Sequence, residues 1–137
     1  MEKEYKIRFI KSDDFAHLIK WWKHYDHCEV PTVDLLPNYG MDGYVVEKNG
    51  KPIMAAFMYL TNSKGVLLEY IVSDPEYREN DRDSAIELLL KTAEQFVKNI
   101  GCKFMFTVTQ HDKLIKAHEK LGWKKDPRPS HELIKVI

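Results

Sequence analysis

Residues 68 to 85 read LEYIVSDPEYRENDRDSA, and this stretch decides the fold. An apolar strand leads into an Asp-Pro turn, a loop beginning at Arg78 follows, and a long helix then starts. A loop at a helix N-terminus is typical of sites that hold phosphate, because the first amides of a helix have no acceptor within it. Glycine suits such a loop, yet Asp81 and Asp83 occupy its central positions. The stretch therefore predicts a fold with a phosphate loop and, in the same residues, an obstacle to phosphate binding.

Strands precede this stretch and a helix follows it. The helix is predicted over Asp83 to Ile100 and ends at Gly101, since glycine favours the conformation that closes a helix. Its apolar positions form one face: Ile86, Leu89, Leu90, Ala93, Phe96 and Val97. Three consecutive strands are predicted upstream: Tyr44 to Lys48, Ile53 to Leu60 and Val66 to Val72. A tight Asn-Gly turn joins the first two, and a second turn over Thr61 to Gly65 joins the last two.

The two ends of the chain continue the same alternation. Tyr5 to Ile10 is a predicted first strand, and Ser12 caps a helix that runs to about His27. Downstream come a strand, a short helix and a last strand: Phe104 to Val108, Asp112 to Leu121 and Leu133 to Ile137. We therefore predict one α/β domain over residues 1–137, with a mixed, mostly antiparallel sheet of about six or seven strands flanked by helices.

Composition narrows the classes of partner. The 137 residues carry 21 basic and 21 acidic side chains, so no net charge attracts nucleic acid or an anionic membrane, and neither is expected as a partner. No apolar run is long enough to span a bilayer, and the two cysteines form no motif, so a cytoplasmic protein is expected. His17 is seven residues from His24, too far for a shared ion, and the nearer trio His24, His27 and Cys28 has no partner motif elsewhere in the chain, so no metal site is predicted.

Two motifs resemble those of the GNAT N-acetyltransferase superfamily. Pro75-Glu76-Tyr77-Arg78 before a helix resembles motif A of that family, Pro-x-Tyr-Arg-Gly-x-Gly-x-Gly, with the core glycines at Asp81 and Asp83. Ala117 to Trp123 resembles the family's Leu-Tyr-Glu-Lys-Leu-Gly-Phe, with His118 at the tyrosine position. His111 takes the place of an asparagine that the family usually has seven residues earlier.

The resemblance implies a GNAT-like N-acyltransferase that moves an acetyl group from acetyl-coenzyme A to a primary amine. It implies that the strands Val66 to Val72 and Phe104 to Val108 splay apart and that pantetheine lies in the opening. The cofactor-binding residues that it implies are Ile71, Val72, Ser73, Arg78, Glu79, Asn80, Asp81, Arg82, Asp83, Ser84 and His111. The acceptor would be an amine on a small molecule or a peptide.

Two residues are the candidates for proton transfer. The resemblance gives His118 the role of protonating the departing thiolate, and a histidine can do so near neutral pH. Glu69, directly or through water, would take the proton of the acceptor amine. The alternatives are a helix histidine without a role and a solvated strand glutamate. The helix that carries Trp21, Trp22 and Tyr25 is expected to pack the core and line an acceptor pocket.

A second function remains open on the same residues. Loss of the loop glycines favours a catalytically degenerate GNAT-like domain, which would use the cleft or its surface to bind another ligand or a protein. Each carboxylate at about 4 Å from a phosphate charge costs about 1 kcal/mol in water and about 4 kcal/mol at an effective dielectric constant of 20. The sequence also leaves a homodimer open.

Overall fold

The structure, a computed structural model, describes residues 5–25, 30–77, 82–128 and 130–137. The chain divides into two compact units, residues 1–107 and residues 108–137. We call these the sheet unit and the C-terminal unit, and each is described by itself.

The sheet unit is built on five strands that lie in the order in which they follow along the chain. The strands are β1 Tyr5–Phe9, β2 Gly43–Lys48, β3 Lys51–Leu60, β4 Gly65–Ser73 and β5 Phe104–Phe106. Strands β1 to β4 are antiparallel to their neighbours, and β5 is parallel to β4. Helix α1 spans Phe15–His24, and helix α2, Arg82–Asn99, is the crossover that the parallel pair needs. The predicted mixed, mostly antiparallel α/β architecture is confirmed.

The turn between β2 and β3 follows directly from its two residues. Asn49 has φ 51° and Gly50 has φ 82°, the left-handed pair that a two-residue hairpin turn requires. The predicted Asn-Gly hairpin is therefore confirmed. The second predicted turn is also present, and there the Thr61 hydroxyl donates to the Gly65 carbonyl over 2.7 Å.

The sheet is covered on both faces. Phe9 pairs with Tyr44 and Tyr44 with Ala56, so these three share one face, and Phe96 of α2 packs on it with ring centroids 6.4 Å from both aromatic partners. The opposite face, which we call the α1 face, holds a buried cluster of Ile10, Leu18, Trp21, Trp22, Leu36, Val45, Ala55, Phe57 and Val72. Complete burial of a side chain such as Phe57 stabilises the fold by about 1.5–3 kcal/mol.

The start of α1 differs from the prediction. Ser12–Asp14 forms a 3-10 turn, and the capping side chain is that of Asp14, whose carboxylate accepts from the Lys11 N–H over 2.8 Å. Asp14 can take this place because Arg8 of β1 binds its carboxylate through two hydrogen bonds of 2.8 Å. The helix ends at His24, because Tyr25 is already extended, and the predicted end at His27 lies outside the described residues.

Helix α2 begins and ends close to its predicted bounds. It ends at Asn99, and the amides of Gly101 and Cys102 then close it by donating to Lys98 and Val97 over 3.0 Å each. Gly101 has φ 84°, which glycine adopts without strain. The predicted stop at Gly101 is confirmed.

The C-terminal unit contains one helix among its described residues, α3 Asp112–Lys120, closed at Gly122 with φ 96°. The predicted strand Leu133 to Ile137 does not form, and β5 ends at Phe106 rather than Val108. Five strands are therefore present in the described ranges, where six or seven were predicted. An alternating apolar pattern is insufficient for a strand, since a strand needs a neighbour to pair with, and Leu133 and Val136 are 91% exposed.

Candidate functional site

Strands β4 and β5 are paired at one end only. Their ladder joins Gly65 to Phe104, Val66 to Met105 and Leu67 to Phe106, whereas β4 continues to Ser73. The predicted divergence of these two strands at the C-terminal end of β4 is confirmed. On the edge of β4 that faces β5, the described ladder ends at Leu67 while β4 continues to Ser73. An extended ligand could therefore bind the main-chain groups of β4 beyond Leu67.

A β-bulge lies in the part of β4 beyond its ladder to β5. Glu69 pairs with Phe57 and Val72 with Ala55, so that two residues of β4, Tyr70 and Ile71, stand against one residue of β3. Tyr70 has φ 54°, a left-handed conformation that is costly for a bulky side chain. Bulges and strained residues cluster at functional sites, where they redirect a side chain or end a ladder. Sequence analysis missed this residue, and tyrosine gives no local signal for it.

The bulge changes which residues accompany Glu69. Because side chains alternate along a regular strand, the sequence alone predicts that Glu69 shares a face with Leu67 and Ile71. Because cross-strand partners share a face, the pairs Glu69–Phe57 and Val72–Ala55 place Val72 with Glu69 on the α1 face, and Ile71 is displaced from it. The prediction that Ile71 shares a face with Glu69 was wrong, because it assumed a regular strand. Glu69 is half-buried on a face that is otherwise mainly apolar.

Aromatic rings surround this part of the α1 face. The Trp22 ring lies 6.0 Å from that of Phe57 and meets the Tyr70 ring edge-on at 6.1 Å, between centroids. The Tyr70 ring is 6.5 Å from that of Tyr59, whose hydroxyl donates to the Leu35 carbonyl over 3.0 Å. Trp22 is only 3% exposed, and among the described residues no acceptor lies within hydrogen-bonding distance of its Nε1.

Two of the predicted cofactor-binding residues meet at the end of β4. Arg82, the first residue of α2, donates from its guanidinium to the Ser73 hydroxyl over 3.0 Å. The Tyr25 hydroxyl donates to the Ser73 carbonyl over 3.3 Å. These bonds join the end of α1, the end of β4 and the start of α2 at one point.

The turn after β4 is fixed by contacts that sequence analysis did not identify. The buried Asp74 carboxylate accepts from the Glu76 N–H over 2.9 Å. Lys48 is only 9% exposed, and its Nζ donates to the Tyr77 hydroxyl over 2.8 Å. That hydroxyl lies 3.3 Å from the Tyr5 hydroxyl. Tyr77 is thus anchored to β1 and β2. These residues are distant in sequence, so no motif reveals the cluster.

The predicted phosphate loop is described only in part. Arg78, Glu79, Asn80 and Asp81 lie outside the described residues. Asp83 and Ser84 are exposed in the first turn of α2, and Arg82 is half-buried against Ser73.

His118 is a buried residue of the C-terminal unit. It is 3% exposed, and its Nδ1 lies 2.7 Å from the Leu114 carbonyl, which requires the ring to carry a proton on Nδ1. Nε2 is buried with no partner among the described residues, and the Trp123 ring meets the imidazole edge-on at 4.7 Å. Burial lowers the pKa of His118, and the bond to Leu114 offsets this only in part. At neutral pH the ring is therefore uncharged, with an acceptor at Nε2.

His111, also in the C-terminal unit, is exposed and stands directly before α3. Its carbonyl accepts from the Ile115 N–H over 2.9 Å, and its own N–H donates to the Thr109 hydroxyl over 3.2 Å. The backbone of His111 thus begins the helix that carries His118.

Within the described ranges, no three His, Cys, Asp or Glu side chains come together as a metal site would require. His27 and Cys28 lie outside those ranges. None of the helices that the structure describes combines the length and apolarity needed to cross a membrane.

Comparison by sequence alone finds no relative: no protein-family model matches the chain, and no curated protein matches it. Comparison of structures finds several. N-acetylglutamate synthase from Neisseria gonorrhoeae, solved with coenzyme A and N-acetyl-glutamate, is 15% identical with a TM-score of 0.70; the match covers 87% of this chain and 28% of the synthase chain. This chain therefore spans little more than a quarter of that enzyme.

Two other similar structures are comparable in length to this chain. Ribosomal-protein-S18-alanine N-acetyltransferase from Escherichia coli is 17% identical with a TM-score of 0.70, over 87% of this chain and 77% of that one. Glucosamine-6-phosphate N-acetyltransferase from Arabidopsis thaliana is 16% identical with a TM-score of 0.66, over 96% of this chain and 99% of that one. The chain therefore has the fold of the GNAT N-acetyltransferases.

Proposed function

We propose that this protein is an N-acyltransferase that moves an acetyl group from acetyl-coenzyme A to a primary amine. The observation that carries the proposal is the opening beside β4, where the ladder to β5 ends at Leu67 and Tyr70 forms a strained bulge. The likeness to acetyltransferases solved with coenzyme A supports the choice of cofactor. The fold alone is compatible with other functions, so the proposal depends on this opening.

The cofactor would lie along β4 and at the start of α2. Main-chain groups of Ile71, Val72 and Ser73 would bind pantetheine as a further strand does, through backbone hydrogen bonds. The loop from Arg78 to Asp81 and the first turn of α2, Arg82 to Ser84, would hold the pyrophosphate through helix amides and the Arg side chains. His111 would also contact the cofactor.

The reaction would be a direct transfer. When bound, acetyl-coenzyme A would supply a thioester carbonyl for the amine nitrogen to attack, and the C–S bond would break with the coenzyme leaving as a thiolate. Glu69, directly or through water, would take the proton that the amine loses, and His118 would give a proton to the thiolate. Since Nδ1 of His118 bonds the Leu114 carbonyl, a donated proton has to be carried on Nε2, which requires the imidazolium form.

The second candidate is a binding module without transferase activity. The observation that favours it is the pair of acids where glycines are typical, of which Asp83 is exposed in the first turn of α2. A carboxylate at this position repels phosphate and opposes the helix amides that attract it.

Thermal unfolding with and without acetyl-coenzyme A tests both candidates. A ligand at one hundred times its Kd stabilises the folded state by about 2.7 kcal/mol, which is easily measured as a rise in Tm. ATP at the same concentration is the control, because it offers phosphates without pantetheine. A rise specific to acetyl-coenzyme A, with thiol release in the presence of amines, supports the transferase. A rise without thiol release supports the binding module, and no rise at any concentration excludes coenzyme A.

A further inference from the structure

The indole N–H of Trp22 is a buried hydrogen-bond donor. Trp22 is 3% exposed, and no protein acceptor lies within reach of its Nε1 among the described residues. The indole N–H of a buried tryptophan usually finds an acceptor, and leaving a buried donor unpaired is costly. An unpaired group of this kind in a native structure calls for a specific explanation, and a bound ligand is one.

The surroundings of Trp22 indicate which ligand. Its ring contacts Phe57 and Tyr70, and Tyr70 in turn contacts Tyr59. Glu69 lies directly opposite Phe57 and therefore on the same face of the sheet. Aromatic ring faces attract cations, and a carboxylate among them adds to that attraction. Tyr59, Glu69 and Tyr70 are all half-buried, so this cluster reaches the surface of the sheet unit.

Tyr70 links the cluster to the bulge. Its backbone is left-handed at φ 54°, which turns its ring onto the α1 face and against Trp22. The strained residue of the opening beside β4 and the Trp22 indole are thus in direct contact. The contact between Trp22 and Tyr70 therefore places the proposed acceptor site next to the opening beside β4, where the acyl group would be delivered.

We propose that the acceptor is a cationic primary amine that also carries an oxygen acceptor, such as an ether, hydroxyl or carbonyl group. The aromatic rings and Glu69 bind the ammonium group, and Trp22 Nε1 donates to the oxygen. The inference rests on the proposed acyl transfer for the fate of the amine. Transfer requires the ammonium to lose one proton to Glu69, which passes it to solvent, before the nitrogen attacks; Glu69 then takes the second proton as the amide forms.

The test uses pairs of small amines that differ by one atom. 2-Methoxyethylamine and butylamine have the same shape, with an oxygen in one and a methylene in the other; 3-methoxypropylamine and pentylamine form a longer pair. 2-Methoxyethanol keeps the oxygen and lacks the cation. Binding to the intact chain is measured by NMR without any acyl donor, from the three indole N–H signals, with that of Trp22 assigned by its loss in Trp22→Phe.

The expected result is a preference for both features. An oxygen-bearing amine of at least one length moves the Trp22 signal and binds about tenfold more tightly than its methylene partner, since it satisfies a buried donor. Trp22→Phe removes this preference and leaves both amines binding. Glu69→Gln lowers the affinity for both amines and brings it closer to the affinity for the neutral alcohol. Trp21→Phe, a loss of an equally buried indole from the same helix, keeps the preference.

Equal binding of the oxygen and methylene partners at both lengths, or no binding of any amine, overturns the inference. So does a preference that persists in Trp22→Phe. Because no acyl donor is present, the outcome is separate from that of the proposed function. Amines that bind as described without any acetyl transfer would leave the amine-binding site standing and remove the transferase.

Discussion

At the scale of single residues, Asp14 shows how a buried carboxylate can fix the turn that leads into a helix. Burial by itself would raise the pKa of Asp14, but the hydrogen bonds from Arg8 and from the Lys11 N–H outweigh burial and hold that pKa below its usual value. The pKa of Arg8 is raised, mainly by its bond to Asp14. The charged form is thus favoured in the folded state, and the sequence motif of acids after Ser12 does not reveal which acid has this role.

We expect Asp14→Asn to lower the free energy of unfolding at pH 7 by about 2 kcal/mol, the scale of a charge-assisted hydrogen bond. A carboxylate with a lowered folded-state pKa contributes stability above its unfolded pKa and loses it as the pH falls through the folded pKa. The difference between wild type and variant should therefore shrink below about pH 4. Urea unfolding at several pH values measures this, with the exposed Asp13→Asn as control. A difference that stays constant down to pH 2 would contradict the assignment.

The proposed role of His118 as proton donor predicts how its substitution changes turnover. If it protonates the thiolate, His118→Ala lowers turnover by about 100-fold or more with little effect on cofactor binding, and His118→Tyr retains activity. Because the pKa of His118 is lowered by burial, the imidazolium form becomes scarcer as the pH rises, and turnover should fall with it. Single-turnover rates across pH measure both effects. Equal rates for wild type and His118→Ala would remove the residue from the mechanism.

At the scale of elements, the proposed cofactor site depends on the connection from β4 to α2. Two contacts flank this connection, Lys48 to Tyr77 before the loop and Arg82 to Ser73 after it. The ends of the loop are therefore anchored to the sheet independently of any ligand. What the loop binds then depends on the charges it carries, and Asp81 and Asp83 are acidic.

We predict weak binding of acetyl-coenzyme A to the native chain at physiological salt. The double change Asp81→Gly with Asp83→Gly should tighten binding by at least about 1.4 kcal/mol, or tenfold, because it removes two repulsive charges and frees the loop amides. The gain should be larger at low salt, where charges are less screened. Calorimetry at two salt concentrations measures both quantities.

The control removes two acids from the exposed side of the same helix, Glu87→Gln with Glu94→Gln. These side chains pair with Lys91 and Lys98 over 2.9 and 3.5 Å, beyond the first turn of α2. The control has the same net charge as the double glycine variant and should bind the cofactor nearly as wild type does. Tight binding by the native chain, unchanged in the glycine variant, would falsify the repulsion argument.

At the scale of the whole molecule, stability is concentrated in the middle of the sheet. The central strands carry fully buried side chains on both faces: Val45, Val46, Ala55, Ala56 and Phe57. The last residues of the C-terminal unit are exposed, with Leu133 at 91%. Local opening needs less free energy where few apolar groups are buried.

Hydrogen exchange should show this gradient. Amides of β2 and β3 are expected to exchange about 10³-fold or more slowly than unprotected peptide, while residues 133–137 exchange at nearly the unprotected rate. Exchange measured by NMR on the apo protein gives both rates in one experiment. Strong protection at 133–137 would mean that the strand predicted there forms in solution after all.

The sequence by itself determined the elements whose causes are local. Asn49-Gly50 specifies its hairpin, Gly101 ends its helix, and apolar spacing identifies α2, because turn dihedrals and helix closure depend on a few adjacent residues. It also determined the order of elements, and the motif from Pro75 to Arg78 predicted the fold that the structure has.

Tertiary structure alone decided the details of the candidate site. The bulge at Tyr70 arises from the register between β3 and β4, and it moved Ile71 away from the face of Glu69. The ring contacts of Trp22 with Phe57 and Tyr70 and the contact of Lys48 with Tyr77 join residues far apart in the chain. No local pattern encodes such contacts, because cross-strand register and burial are set by all the strands packing together.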